Sequence, residues 1–467
     1  MNKEFNVPRF LVSSHKGGSG KTLLTIGLIY VFRDLGLKVV GFKKGPDYID
    51  AGWLSKVSGV VCRNLDPFLF KEEDVLKSFY QGAKQSDLVI IEGNRGLFDG
   101  LDVYGSYSTA KLAQVLKTPV VLVLDCTKVT RSLAPLVKGF LNFEQGVEIK
   151  GVVLNKIARP RHEDIIRKSI EYYTGVKVLG ALPKLKNLPP ERHLGLVTSF
   201  EYQQELFLNE LSQAIKQNFD LEGFLTIAKD VPSLDLFLSS QDSTENKDKL
   251  NGIKIGVFWD KAFQFYYPEN LESFQHFGAE IKLINAFEDK TLEDIDGLYL
   301  GGGFPEVQAE ALSENKALMK EVKEAVLEGM PVYAECGGLM YLGKKIIWKN
   351  KEYPMSEILP IIFKVEPTPQ GHGYVVAKVK EKNPYFDVGL SIKGHEFHYS
   401  KPVDFELNQD IKLVFELEKG VGFKEKKDGI LFKNLLAAYT HIHVFSVKCW
   451  TEKFLKKAKE FNLQKSS

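Results

Sequence analysis

Ser14-His15-Lys16-Gly17-Gly18-Ser19-Gly20-Lys21-Thr22 follows an apolar run at 10–14 and opens an apolar helical stretch. A strand that empties into such a glycine-rich turn and continues as a helix is a phosphate-binding loop. Gly18 and Gly20 let backbone amides turn toward phosphate, and the helix N-terminus adds a favourable dipole. Lys21 reaches the β- and γ-phosphates, and the Thr22 hydroxyl can hold Mg²⁺. Outward from this loop, short apolar runs at 38–43, 88–92, 120–125, 151–155 and 178–181 alternate with helical lengths. The alternation predicts α/β architecture: a P-loop domain built on a mostly parallel sheet wrapped in helices.

Ligands gather at the carboxyl ends of strands in such a sheet, which puts two further loops beside the phosphate cradle. In the first, Lys43-Lys44-Gly45-Pro46-Asp47-Tyr48-Ile49-Asp50, Lys43 suits a transferring phosphoryl group and Asp47 suits metal or substrate positioning. In the second, Glu92-Gly93-Asn94-Arg95-Gly96-Leu97-Phe98-Asp99-Gly100, Glu92 ends an apolar strand and is placed to hold Mg²⁺ directly or through water. Asp99 reads as a second positioning carboxylate. For Asp47, Asp50 and Asp99 alike, the competing reading is turn capping.

Composition breaks at 236–251, where Ser239 to Lys249 carries almost no apolar residue. We read a linker there, which divides the chain into domains at 1–235 and 252–467. The α/β pattern then restarts, with strands expected at 253–258, 280–284, 297–300 and 332–334. The last two carry chemistry. Gly301-Gly302-Gly303-Phe304-Pro305 leaves one strand as a loop of open amides, and Pro331-Val332-Tyr333-Ala334-Glu335-Cys336-Gly337-Gly338 sets a thiol at a strand-to-helix turn. This is the layout for acyl transfer: Cys336 attacks a carbonyl while amides of Gly302, Gly303 and Gly337 hold the oxyanion. A base comes from Ala438-Tyr439-Thr440-His441-Ile442-His443-Val444-Phe445, where strand alternation puts His441 and His443 on one face. By the same alternation, Glu396 and His398 face away from His395 and Phe397, so that run does not converge on one ion.

The 62 Lys and Arg against 60 Asp and Glu leave a net charge of +2, which argues against a nucleic-acid surface. No apolar run approaches a membrane span, and a polar start running into a strand predicts no signal peptide. Cys62, Cys126, Cys336 and Cys449 form no CxxC pair, so a cytoplasmic setting is expected.

Taken together, the phosphate loop, Gly45 to Asp50, Arg63-Asn64-Leu65-Asp66-Pro67, the Glu92 loop, Leu182-Pro183, Pro190 to Leu196, Gly301 to Glu306, Tyr333 to Gly338, Gly394 to Ser400 and His441-Ile442-His443 resemble the cobyrinate a,c-diamide synthase family across nearly the whole chain. The resemblance implies a dethiobiotin-synthetase-like domain followed by a triad-type class I glutamine amidotransferase domain. It implies an ATP- and Mg²⁺-dependent enzyme that amidates the a- and c-acetates of a corrin or related tetrapyrrole through an acyl phosphate, with L-glutamine as donor. Cys336 is then the nucleophile, with His441 or His443 the base. Gly18, Gly20, Lys21 and Thr22 belong to the ATP site and Asn155 to adenine reading. Thr22, Asp47 and Glu92 bind Mg²⁺. Lys43, Asp47, Tyr48 and Asp99 lie toward the macrocycle carboxylate.

Three departures qualify the substrate and partners. Lys16 resembles the extra lysine that MinD/ParA ATPases extend across a dimer, which raises a homodimer and, as a reading of another class, an ATPase switch. Gly371-His372-Gly373-Tyr374 and Arg95 depart from the family pattern and leave sirohydrochlorin, nickel sirohydrochlorin and sirohaem beside the corrin. Cobyric acid synthase is a rival that the Gly394 to Ser400 and His441-Ile442-His443 signatures disfavour.

Overall fold

The computed structural model describes residues 2–185, 188–192, 195–202, 205–237, 250–405 and 409–465. The chain forms two compact units, Met1–Ser243 and Thr244–Ser467.

In the first unit, β1 (Asn2–Phe5) precedes β2 (Arg9–Ser14), β3 (Val39–Lys44), β4 (Arg63–Leu65), β5 (Leu88–Glu92), β6 (Val120–Asp125), β7 (Ile149–Ile157) and β8 (Val178–Pro183). Strands β2 to β8 make one parallel sheet in the order β4-β3-β5-β2-β6-β7-β8. Every residue of β2, β3, β5 and β6 is buried, as helices on both faces require. Helix α1 (Lys21–Asp34) follows β2, and helix α2 (Tyr48–Ser58) follows β3. Because β2 feeds β3 on one side while β6 lies on its other side, the carboxyl end of β2 opens at a switch point of the sheet. Ser14, Glu92 and Asp125 end their strands there, and Lys43 is the penultimate residue of β3.

A two-stranded pair, β9 (Glu191–Arg192) with β10 (Gly195–Leu196), follows; His193 and Leu194 of the 190–196 motif lie outside the described residues. Strand β11 (Leu234–Phe237) then pairs antiparallel with β1. Leu236, where the composition breaks, is a buried residue of this strand. At the other end Leu250 is also buried, and 238–249 lie outside the described residues.

The second unit opens with β12 (Lys254–Phe258), β13 (Glu280–Ile284), β14 (Gly297–Leu300) and β15 (Val332–Glu335). It continues with β16 (Lys345–Trp348), β17 (Lys351–Pro354), β18 (Ile361–Val365), β19 (Gly371–Val379), β20 (Ser391–His398) and β21 (Ser400–Phe405). Then come β22 (Ile411–Lys419), β23 (Lys427–Phe432), β24 (Leu435–Ala438) and β25 (His441–Ile442). The ten-stranded sheet runs β13-β12-β14-β15-β24-β23-β22-β19-β20-β25, parallel as far as β24 and antiparallel beyond it. A second sheet has the order β17-β16-β18-β21.

The large sheet cannot be flat. Ala438 and His441 are three residues apart, within about 11 Å of each other along the chain, yet their strands sit five places apart in the order. Five strand spacings span roughly 24 Å in a flat sheet. The sheet therefore curls, and the curl carries β20 and β25 back to the carboxyl end of β15.

Candidate active site

In the phosphate loop, Gly18 and Gly20 take φ of +69° and +94°. A Cβ at Gly20 would meet Asn155 Nδ2 at 2.0 Å, so the position admits only glycine. Asn155 Nδ2 donates to Ser19 O at 2.8 Å, and Lys156 N donates to Asn155 Oδ1 at 2.8 Å. The side chain expected to read adenine thus braces the loop with one end of its amide, while the other end is tied to its own strand. Lys21 Nζ donates to Ser14 Oγ at 3.1 Å and to Arg95 O at 2.6 Å. Lys16, more than half exposed, pairs with Asp125 of its own chain at 3.5 Å.

Beside this cradle an ion cluster forms around two buried side chains, Lys43 and Glu92. Lys43, 2% exposed, contacts Glu92 Oε1 at 2.7 Å, Asp50 Oδ2 at 2.5 Å and Asp47 Oδ2 at 3.8 Å. Thr22 Oγ1 donates to Glu92 Oε1 at 2.7 Å and to Asp50 Oδ2 at 3.2 Å. Burial opposes the charge on Lys43, but Asp50, Glu92 and Asp47 outweigh it and hold the ammonium ionised. Burial pushes Glu92 up to about 7 despite Lys43.

Sequence reasoning missed Asp50. It had favoured Asp47, whose Oδ1 instead accepts from Asp50 N and caps α2, with Tyr48 as the first helical residue. A carboxylate three residues past the cap, facing the cradle from the first turn, was the signal available. Asp99 Oδ2 accepts from Gly96 N at 2.8 Å, closing the turn that presents Arg95 O to Lys21.

The residues fit a hydrated divalent ion. Glu92 Oε2 is buried with no hydrogen-bond partner, next to the Thr22 hydroxyl. Among the described residues no three His, Cys, Asp or Glu side chains form a metal cage. Mg²⁺ needs none, since it is usually held by one or two carboxylates, water and phosphate.

In the second unit, Cys336 is the joint between β15 and the short helix Gly337–Leu342, with φ +46° and ψ −94°. A non-glycine residue in that region is strained, and the surroundings enforce it. Cys336 N donates to Ala438 O at 2.7 Å, and Gly338 N donates to Gly301 O at 3.1 Å. The glycine loop is packed as tightly. A Cβ at Gly303 would meet Ala262 O at 1.9 Å, one at Gly337 would lie 3.0 Å from Gly303 N, and one at Gly302 would meet His441 Cε1 at 2.4 Å. Gly302, Gly303, Gly337, Cys336 and His441 therefore share one site.

Cys336 Sγ lies 3.7 Å from Phe397 O of β20. Burial, then Glu306, Glu335 and Asp428, push the thiol well above its usual range. A thiolate here must form by handing its proton to a neighbouring base.

His441 Nδ1 lies 3.3 Å from Glu335 Oε2, and its ring stacks on His395 at 4.8 Å. His443 belongs to a different environment. The strand expected across 438–445 is only His441–Ile442, after which the chain turns, with Val447 N bonded to His443 O. The His443 ring lies 4.6 Å from that of Tyr267, and its Nε2 is 3.4 Å from Glu269 Oε2. The Glu396 and His398 pair behaves as the alternation predicts. Glu396 bonds His398 Nε2 at 3.4 Å and accepts from the amides of Val421 and Gly422.

A phosphate cradle with a desolvated ion cluster and a buried thiol at an enforced elbow are the parts of a glutamine-dependent ligase. Residues 10–197 match the CobQ/CobB/MinD/ParA nucleotide binding domain, and residues 254–448 match the CobB/CobQ-like glutamine amidotransferase domain. The chain is 40% identical over 451 residues to a cobyrinate a,c-diamide synthase of Magnetococcus marinus, covering 96% of each chain. It is 37% identical to the protein of that name from Archaeoglobus fulgidus, covering 97% of this chain and 98% of that one. A Listeria innocua relative of the same name is 37% identical over 94% of this chain and 96% of its own. The chain belongs to the cobyrinate a,c-diamide synthase family and is a ligase that forms C–N bonds with glutamine as amido donor. Among the described residues no helix is long and apolar enough to cross a membrane.

Proposed function

We propose that this enzyme amidates the a- and c-acetate carboxylates of cobyrinate, activating each with ATP as an acyl phosphate. One observation carries the reading: relatives named for this reaction match the chain along 94–97% of its length, a match that spans both units. A carboxylate does not exchange its oxygen for nitrogen at neutral pH, so its oxygen must first become a leaving group. Lys21 and Lys43 are placed to balance charge on the moving phosphoryl group. Thr22, Glu92 and Asp50 would hold Mg²⁺, which supplies further charge neutralisation when bound. Asp47, Tyr48 and Asp99 line the macrocycle side.

At the second site Cys336 passes its proton to His441 and attacks the glutamine carboxamide, with the amides of Gly302, Gly303 and Gly337 facing the oxyanion. Ammonia leaves, and water then cleaves the thioester. The ammonia displaces phosphate from the activated acetate, and a second round gives the diamide.

Product analysis by mass spectrometry tests the substrate. With Mg-ATP and glutamine, cobyrinate is expected to gain two amides, whereas sirohydrochlorin, nickel sirohydrochlorin and sirohaem gain none. Amidation of one of those three in place of cobyrinate would reassign the macrocycle and leave the chemistry intact.

Lys21 supplies a second check. Burial, then the neighbouring Lys43, lower its pKa to about 8. Phosphate charge raises it again, so nucleotide binding near pH 9 should take up roughly one proton, and near pH 7 almost none from this group. Calorimetry in two buffers of different ionisation enthalpy reads the uptake, and Lys21→Met should remove it. Equal uptake in the variant would place the proton elsewhere.

A further inference from the structure

Glu335, the residue before the nucleophile, ends β15 with a fully buried side chain. An apolar strand has little reason to bury a carboxylate at its end unless polar partners meet it, and three do: two donors and an imidazole nitrogen. Ile442 N donates to Oε1 at 3.0 Å, the Tyr299 hydroxyl donates to Oε2 at 3.2 Å, and His441 Nδ1 lies 3.3 Å from Oε2.

The assembly is cross-braced. Asn270 Nδ2 donates to Tyr299 Oη at 3.3 Å and to Ile442 O at 2.9 Å, while its Oδ1 accepts from Val444 N at 2.8 Å. With Nδ1 turned to Glu335, the other face of the ring lies over the glycine loop: a Cβ at Gly302 would be 3.3 Å from His441 Nε2. His443, two residues on, has its own carboxylate in Glu269 and offers His441 none.

The geometry points to Glu335 as the positioning residue of the thiol site: its carboxylate holds the Nδ1–H of His441, leaves Nε2 as the proton acceptor, and steadies the imidazolium formed when Cys336 gives up its proton. This rests on the proposed glutaminase reading.

The proton balance closes at one atom. The S–H bond breaks as N–H forms at Nε2, and the sulfur pair attacks the carboxamide carbon. That proton then joins the departing nitrogen, giving ammonia and a thioester. Water next gives a proton to Nε2 as its oxygen adds to the thioester, and the leaving sulfur takes the proton back. The charged or titratable groups against the ring are Glu335 from β15 and His395 from β20. Glu306 and Asp428 act on the thiol. His395, stacked on His441, is kept neutral by burial and then by the other histidines, so it adds no competing cation.

Glu335→Gln in the full-length chain tests the assignment. Ile442 N is a fixed donor, so it must keep the amide oxygen, and the new NH₂ then faces His441 Nδ1. The imidazole proton is driven to Nε2, and a base so inverted loses activity by roughly 10³- to 10⁴-fold. The expected result is a loss of that order in glutaminase kcat, with the glutamine KM within about threefold and the acid limb of the rate profile moved to lower pH. Ammonia-driven amidation should be unchanged.

A merely structural role would move none of the profile. Glutaminase within about threefold of the parent, with an unmoved profile, would overturn the assignment. Should the variant not fold, ¹⁵N resonances of the parent, assigned to His441 by comparison with His441→Gln, decide the matter. Nδ1–H supports the assignment and Nε2–H refutes it. Glutaminase that survives Cys336→Ala would instead remove the thiol reading on which the assignment stands.

Discussion

Cys336→Ala is expected to abolish ammonia release from glutamine, by about 10⁴-fold or more, while amidation driven by ammonium salt stays within about twofold of the parent. The magnitude follows from what remains once sulfur is gone. The glycine-loop amides can still polarise a carboxamide, but the attacking atom is gone. Removing the attacking atom of such a unit costs nearly as much as removing the whole unit.

The selectivity follows from topology. Every group assigned to ATP and carboxylate activation lies at 16–155, on strands, helices and loops of the first unit, which ends before β12 begins. Glutamate release, followed alongside macrocycle amidation with each nitrogen source, checks both halves. Loss of ammonia-driven amidation in the same variant would show that the thiol unit does more than supply nitrogen.

Lys43→Met should strongly destabilise the first unit. A surface ion pair is worth little, but Lys43 is 2% exposed and sits against Glu92, which is wholly buried, and Asp50. Taking one partner out of a buried set leaves charge with no compensation and costs about 3–5 kcal/mol. In a unit of this size that is a fall in Tm of roughly 6–20 °C.

The pH dependence has a definite sign. The parent keeps its ammonium at all working pH, because Asp50, Glu92 and Asp47 hold it ionised against burial. The stability it contributes is lost only as pH rises through that raised folded pKa. In the variant the stranded carboxylates take up protons more readily than in the unfolded chain, so the deficit narrows as pH falls from about 8 toward 5. Calorimetric scans at both pH values test this, and equal deficits at the two would show that the loss is not electrostatic. Unlike Cys336→Ala, this variant should fail with ammonia as well.

The parallel cores of both units were legible because their strands are short, mostly apolar and bounded by glycine or charge. The runs at 88–92, 120–125, 280–284 and 297–300 coincide with the observed strands. The antiparallel arm from β16 to β23 was not. Its strands are half-exposed and mix lysine with β-branched residues, as in 411–419, and their pairing depends on partners distant in sequence. The three-residue β4 was too short to show a period. At the sites, the thiol, the glycine loops and the cradle announced themselves through backbone demands that few residues meet. Asp50 and Glu335 did not, because a carboxylate's role depends on which donors surround it, and those donors come from other strands.

The curl of the large sheet also governs when the second unit becomes dangerous to its own substrate pool. Cys336 is laid down with β15, but the proton acceptor proposed for it, His441, comes 105 positions later, on a two-residue strand at the edge of the curled sheet. Contacts of such long sequence separation form late, after the chain between them has paid its closure entropy. On that proposal a nascent or half-folded chain holds a thiol with no base beside it and is expected to leave glutamine intact. Competence is then expected only once β25 pairs with β20, so the hydrolase is assembled by the same event that completes the sheet.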